Sequence, residues 1–328
     1  MRLDIRYRCR FDYDGAVRES QNELRAVPLS DARQQLISAR VTTTPAARVF
    51  TFTDYWGTRV DAFGVREPHT SLEVVAEASV ETRRTPLLTA APRFDSVLEP
   101  SFRDAHLEYL ERTAHTAWGE GVAEEARRQA ELAGPDLVSL VLALHRRVGA
   151  TIAYVPGSTY IGVEVEEVLQ RRQGVCQDFA HLAVAMCRSL GIPARYVSGY
   201  LFTADDAKGD DPEADVVRVQ THAWFEAALP GIGWLALDPT NATEVGLRHV
   251  KIGHGRDYDD VAPLRGVYSG GAACALDVAV EIRRATPIPT VDPSAAAARA
   301  HAAAQARLEA ARARRARLVA QVQQAQQQ

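Results

Sequence analysis

The sequence predicts an α+β protein, and three observations predict it. Residues 1–95 alternate apolar and polar side chains between turn signals, the period of half-buried strands. Residues 103–190 carry apolar residues at helical spacing, and period two returns beyond residue 194. From Ser294 the composition turns abruptly to alanine, arginine and glutamine. The expected domains are a β-sandwich over 1–95, a mixed core over 96–290 and a helical or frayed tail over 291–328.

In the first region, Leu3, Ile5, Tyr7 and Cys9 alternate with charged neighbours. Residues 22–28 and 34–41 read as further strands, 49–63 as a hairpin turning at Trp56-Gly57, and 69–80 as another β segment with Leu72, Val74 and Ala76 on one face. Several short strands separated by turn signals predict a sandwich. Trp56 and Tyr55, at a turn, read as interface or core aromatics.

Residues 86–100 read as a linker. Helices are expected over 103–118, 121–133 and 136–148, the last with Pro135 near its start. Its face of Leu137, Leu140, Val141, Leu144 and Val148 should pack on the helix that follows Cys176. His106, His115 and His145 on these helices read as surface or packed residues. A short helix over 164–169 precedes Gly174, which breaks it.

After Gly174, Cys176 opens a helix marked by Phe179, Ala180, Ala183, Val184, Met186, Cys187 and Leu190 and stopped by Gly191 and Pro193. A cysteine in a first turn faces free backbone N–H groups and the positive end of the helix dipole, a setting that favours thiolate. Such a nucleophile needs a base, and the base needs an orienting carboxylate. Residues 221–226 and 233–240 read as two strands joined by the turn Leu229-Pro230-Gly231-Ile232. With the turn centred near Pro230, His222 faces Asp238 directly, Cβ atoms about 5 Å apart. A one-residue slip in either strand would separate them onto opposite faces.

These segments resemble the core of the bacterial transglutaminase-like superfamily, a papain-like cysteine-enzyme fold. The resemblance rests on Gly174-Val175-Cys176-Gln177-Asp178-Phe179-Ala180, Thr221-His222-Ala223-Trp224 and Leu237-Asp238-Pro239-Thr240-Asn241. It extends to Ile152-Ala153-Tyr154, the segment 190–195 and Val197-Ser198-Gly199-Tyr200, and covers about half of the chain, 107–260. It implies Cys176 as nucleophile, His222 as general base and acid, and Asp238 as orienter. The β-rich segment ahead of the core resembles one that family members often carry.

Acyl transfer needs donors at the developing oxyanion. The Cys176 N–H is one, because helix-start amides are free. For the second, Gln170 sits at the offset where papain-type enzymes place a glutamine. Gln173 and Tyr154 are the other candidates, and Tyr154 ranks first because the family tends to keep an aromatic hydroxyl upstream. Plain packing or capping is the bland alternative for all three. Trp224 and Trp234, on the faces of His222 and Asp238, either wall the cleft or fill the core. Asp178 reads as structural, since its charge opposes a neighbouring thiolate. Residues 258–271, with Tyr258 and Tyr268, are expected to close the cleft rim, and Leu276, Val278, Val280 and Ile282 to form a closing strand.

A net charge of −4 predicts no general affinity for nucleic acid. No apolar run is long enough to span a bilayer, and Met1–Arg6 lacks the apolar segment of a signal peptide, so a cytoplasmic location is expected. Cys9, Cys187 and Cys274 read as inert thiols. Cofactors and metals are not expected, since no Cys-x-x-Cys or His-Glu-x-x-His spacing occurs. The acidic segment 203–215 matches no definite calcium loop and reads as a solvated loop that biases a cleft against acidic substrates. The partners expected are a peptide or protein substrate and, for the tail, a protein that docks its basic arm. Three classes of function remain: an amide hydrolase acting through a thioester, a transferase passing the same thioester to an amine, and a binding module built on a silent triad.

Overall fold

The computed structural model describes residues 1–84, 91–203, 216–270 and 273–285. The acidic segment 204–215 and the alanine-rich tail lie outside them.

The alternation at the chain start runs well past Cys9. β1 (Arg2–Leu24) is a single strand of 23 residues with alternate side chains buried. It is followed by β2 (Gln34–Thr44), β3 (Val49–Thr53), β4 (Arg59–Val65) and β5 (His69–Thr82). The β3–β4 turn lies where Trp56-Gly57 predicts it. Asp54 Oδ1 accepts the Trp56 and Thr58 N–H groups, and Gly57 takes the positive φ of 79° that the turn requires.

Next come α1 (Pro100–Ala105), α2 (Glu120–Ala133), α3 (Leu137–Thr151), β6 (Ala153–Tyr154), α4 (Val165–Arg171), β7 (Gln173–Gly174) and α5 (Cys176–Ser189). The helix expected over 103–118 does not form as one piece. It is α1, a 3-10 turn at Leu107–Leu110 and an irregular run. The carbonyls of Tyr109 and Glu111 instead accept hydrogen bonds from the buried Arg188 guanidinium, which also donates to Thr116 Oγ1 and to the Ala194 and Arg256 carbonyls. Five separate acceptors satisfy a cation that burial otherwise destabilises.

The remaining strands are β8 (Ala194–Leu201), β9 (Val216–Val219), β10 (His222–Leu229), β11 (Gly233–Asp238), β12 (Thr243–Glu244), β13 (His249–Gly255), β14 (Leu264–Ser269) and β15 (Cys274–Arg284). They divide between two sheets. β12-β11-β10-β8-β13 form an antiparallel sheet. β9, β14 and β15, although within 96–290, pair into the sheet of the N-terminal strands. That sheet runs β2-β5-β1-β15-β9, with β4 and β14 on the far half of β1. The reason is β1 itself. β5 satisfies one of its edges, and the other carries unpaired N–H and C=O groups until β15 aligns along it from Leu3↔Arg284 to Tyr13↔Cys274. Tyr268, expected at the cleft rim, therefore packs on Tyr13, ring centroids 5.0 Å apart.

Two cores result. Phe179, Leu182, Val184 and Met186 of α5 lie between Leu140, Leu144 and Val148 of α3 and Phe225, Ala227 and Leu237 of the five-stranded sheet, so α3 packs on α5 as its apolar face predicts. Leu3, Ile5 and Tyr7 pack with Tyr200, Phe202, Val250 and Ile252, joining the two sheets. The β3–β4 turn adds a polar-aromatic contact: Trp56 lies against Tyr109 and beneath Arg256, and Tyr55 bonds Glu108. Among the described residues, no helix is long and apolar enough to cross a membrane.

Candidate active site

Cys176 is the first residue of α5, half-buried beside Ala180, Tyr196, Ala223, Tyr258 and Val261. The helix start is built by Asp178, whose Oδ2 reaches back to the Val175 N–H at 2.7 Å and accepts the Thr159 hydroxyl at 2.6 Å. It thereby caps the helix and ties down the preceding loop, the structural role its position suggests. Burial raises its pKa, against the two hydrogen bonds.

His222 opens β10, and Asp238 ends β11. The hairpin register differs from the expected one. Phe225 pairs with Leu237 and Leu229 with Gly233, so the turn centres on Gly231, and His222 lies two residues beyond the position opposite Asp238. A two-residue offset preserves the face, since side chains alternate with period two. The imidazole therefore still reaches the carboxylate diagonally, with His222 Nε2 donating to Asp238 Oδ2 at 2.7 Å. Cys176 is near enough to the ring to act on its charge. Burial pushes the His222 pKa down, but Asp238 and Cys176 outweigh it and raise it to about 9.

Asp238 is fully buried. Its Oδ1 accepts the Thr240 and Asn241 backbone N–H groups at 3.0 and 3.2 Å, a tight Asx turn. Its Oδ2 accepts Asn241 Nδ2 at 2.7 Å and His249 Nε2 at 3.1 Å besides His222. Burial alone would raise its pKa, yet the hydrogen bonds from His222, His249 and Asn241 hold it below the usual carboxylate range. Its backbone is seated by α3: His145 Nε2 donates to the Asp238 carbonyl at 2.9 Å. One turn on, Gly149 makes room for Pro239, whose carbonyl a Cβ there would meet at 2.8 Å.

Of the oxyanion candidates, Tyr154 is exposed but is paired by its backbone beside the strand that leads to Cys176. β6 runs parallel to β7, pairing Tyr154 with Gly174, two residues before Cys176. The phenol's pKa is raised by partial burial and by the Cys176 charge, so it remains a donor. Gln170 is exposed on α4 and Gln173 is exposed on β7. Trp224 is core: it is buried with Val197, Ala236 and Val245 and sets its ring edge-on to His249 at 5.4 Å. Trp234 is not at the site; its ring packs on Tyr109 and His106, with the Arg195 guanidinium 3.7 Å above it. It sits four residues up β11 from Asp238, at the other end of the strand.

Three contributors carry no role in the sequence reading: Asn241, His145 and His249. The Asx turn that places Asn241 follows from Asp-Pro-Thr-Asn. His145 and His249 have no local signal, because each meets Asp238 through tertiary packing. His222, Asp238 and His249 place ligand-type atoms within 4.8 Å of one another, as do His115, Asp257 and Asp259. In the first group the shared oxygen Oδ2 is already taken by N–H donors. In the second, Asp257 accepts the Asp259 N–H and Asp259 pairs with His115 and Arg265.

Residues 3–81 match the bacterial transglutaminase-like N-terminal region and residues 124–239 the transglutaminase-like superfamily. An uncharacterised protein of Mycobacterium leprae is 39% identical over 283 residues, 86% of this chain and 99% of that protein. A Pseudomonas aeruginosa protein-glutamine gamma-glutamyltransferase is 34% identical over 101 residues, 29% of this chain and 15% of that one. The crystal structure of a candidate cysteine protease from Cytophaga hutchinsonii superposes with a TM-score of 0.66 at 24% identity, covering 88% of this chain and 93% of that one. With its core, its N-terminal region and a relative matched over nearly its whole length, the chain belongs to the transglutaminase-like superfamily.

Proposed function

We propose that the protein is a cysteine-dependent hydrolase of peptide or isopeptide bonds. What supports the reading is the His222 imidazole, hydrogen-bonded to the buried Asp238 carboxylate and raised in pKa by both Asp238 and Cys176. The Cys176 proton passes to His222, and the thiolate attacks the amide carbonyl. The resulting oxyanion is met by the Cys176 N–H and the Tyr154 hydroxyl. The C–N bond breaks as His222 returns its proton to the leaving amine, leaving a thioester. Water, deprotonated by His222, attacks the thioester; the acid departs and the thiol is restored. Asp238 keeps its charge throughout and holds the imidazole in the Nε2–H tautomer.

The second reading is transfer of the acyl group to an amine, and the Pseudomonas relative favours it by name. The two share every step up to the thioester and diverge in whether water or amine attacks it.

The test is the pH dependence of Cys176 alkylation by iodoacetamide, followed by peptide mass, with Cys176→Ala and His222→Ala as controls. Rapid labelling well below pH 8, moved upward in His222→Ala, supports the pair. Labelling like that of an ordinary thiol refutes it and leaves a binding module. Turnover of amides with and without added amine then separates hydrolysis from transfer.

A further inference from the structure

We propose that His249 is a positioning residue for the carboxylate: its Nε2–H shares the Asp238 oxygen that holds His222, anchoring that oxygen and withdrawing charge from it. The inference rests on the triad reading above and names how its carboxylate is tuned.

The sheet explains how a residue two strands away reaches the site. β8 lies between β10 and β13, with His222 opposite Gly199 and Gly199 opposite Lys251. Because position 199 carries no side chain, Trp224 lies across β8 and meets His249; a Cβ there would come within 2.4 Å of the Trp224 ring. His249 is 8% exposed, and its ring centroid lies 6.2 Å from that of His222. The Gly246 N–H donates to His249 Nδ1 at 3.2 Å. With Nδ1 accepting, the ring proton belongs on Nε2, which points at Asp238 Oδ2 at 3.1 Å. One carboxylate oxygen thus holds two imidazoles. Without the second donor, more charge stays on Oδ2, the His222 imidazolium is bound more tightly, and it gives up its proton less readily to a leaving amine.

The other charged groups around His249 are Glu226 and Lys251, paired at 2.8 Å, with Arg33, Arg83 and Asp31, all lining one cavity of about 20 Å³.

Two substitutions separate positioning from packing. His249→Gln places an amide N–H near the Nε2 position and loses the Gly246 contact. His249→Asn keeps an acceptor for Gly246 and cannot reach Asp238. Each is made in the Cys176→Ala protein, where the readout does not depend on chemistry, and the His222 titration is followed by NMR. The expected result is a His222 midpoint higher by about half to one pH unit in His249→Asn and near the parent value in His249→Gln. A midpoint that fails to rise in His249→Asn, or rises equally in His249→Gln, overturns the proposal. Failure of the triad reading itself appears separately, in the iodoacetamide profile of the protein that retains Cys176.

Discussion

Replacing Asp238 by Asn tests the electrostatic heart of the site. The carboxylate accepts five hydrogen bonds, two from backbone N–H groups on Oδ1 and three from side chains on Oδ2. An amide must keep its oxygen at Oδ1 for the backbone donors. Its NH2 then faces the N–H groups of His222, His249 and Asn241, none of which can accept. His222 is driven to place its proton on Nδ1, the side that must receive the thiol proton. The imidazolium also loses its main support. Its pKa stands raised from 6.5 to about 9, and Asp238 is the first of the raising causes. With a side chain only 10% exposed, little of this is screened. A return to 6.5 or below corresponds to about 3 kcal/mol, or roughly two to three orders of magnitude in the proton-transfer equilibrium. Asp238→Asn should therefore slow iodoacetamide labelling of Cys176 at pH 7 by about a hundredfold while labelling at pH 9.5 persists. Because Cys274 is exposed, the measurement is made with Cys274→Ser or resolved by peptide. Labelling within about threefold of the parent at pH 7 would refute the coupling of thiol, imidazole and carboxylate.

Tyr154→Phe should lower the rate of acylation by about a hundredfold without moving the alkylation profile, since it removes the proposed oxyanion donor and leaves the Cys176–His222 pair; burst kinetics with 4-nitrophenyl acetate measure it. Gly199→Ala should cost about 3 kcal/mol in urea unfolding, because its Cβ would lie 2.3 Å from the Val250 carbonyl and 2.4 Å from the Trp224 ring. Stability should fall between pH 6.5 and 5. Burial holds His181 well below its ordinary 6.5, and burial with Lys251 and Arg195 takes His254 to about 2, so the unfolded chain gains protons that the folded one refuses. His222, raised instead, acts with the opposite sign: its contribution is complete only below 6.5 and is lost progressively as pH climbs from there through about 9. Urea midpoints at pH 6.5 and 5 check the sign, and His254→Leu should flatten the difference.

How much was legible differs by element. The helix behind Cys176 announced itself through its apolar spacing and its Gly-Pro stop, and begins at Cys176. The β3–β4 hairpin and α3 were similarly plain. The run 103–118 failed because its carbonyls are claimed by Arg188, about 80 residues later. Trp234 was placed correctly on its strand face but too far along it to matter, since facing says nothing about distance from the site.

The sequence by itself determined the helix-start setting of Cys176, the face shared by His222 and Asp238, and the family. The first two depend on local periodicity and on residues close in the chain, and the family on motifs that read alike wherever the chain carries them. Even a register error of two left the pair on one face, because the strand period is two. Only the tertiary structure decided what surrounds Asp238, His145 from α3 and His249 from β13 across a glycine gap, and that a parallel bridge sets Tyr154 beside the strand leading to Cys176. It also decided that the strands closing β1 come from the far end of the chain. Hydrogen-bond partners of a buried group are chosen by proximity in space, and neither composition nor spacing encodes which distant strand will lie alongside.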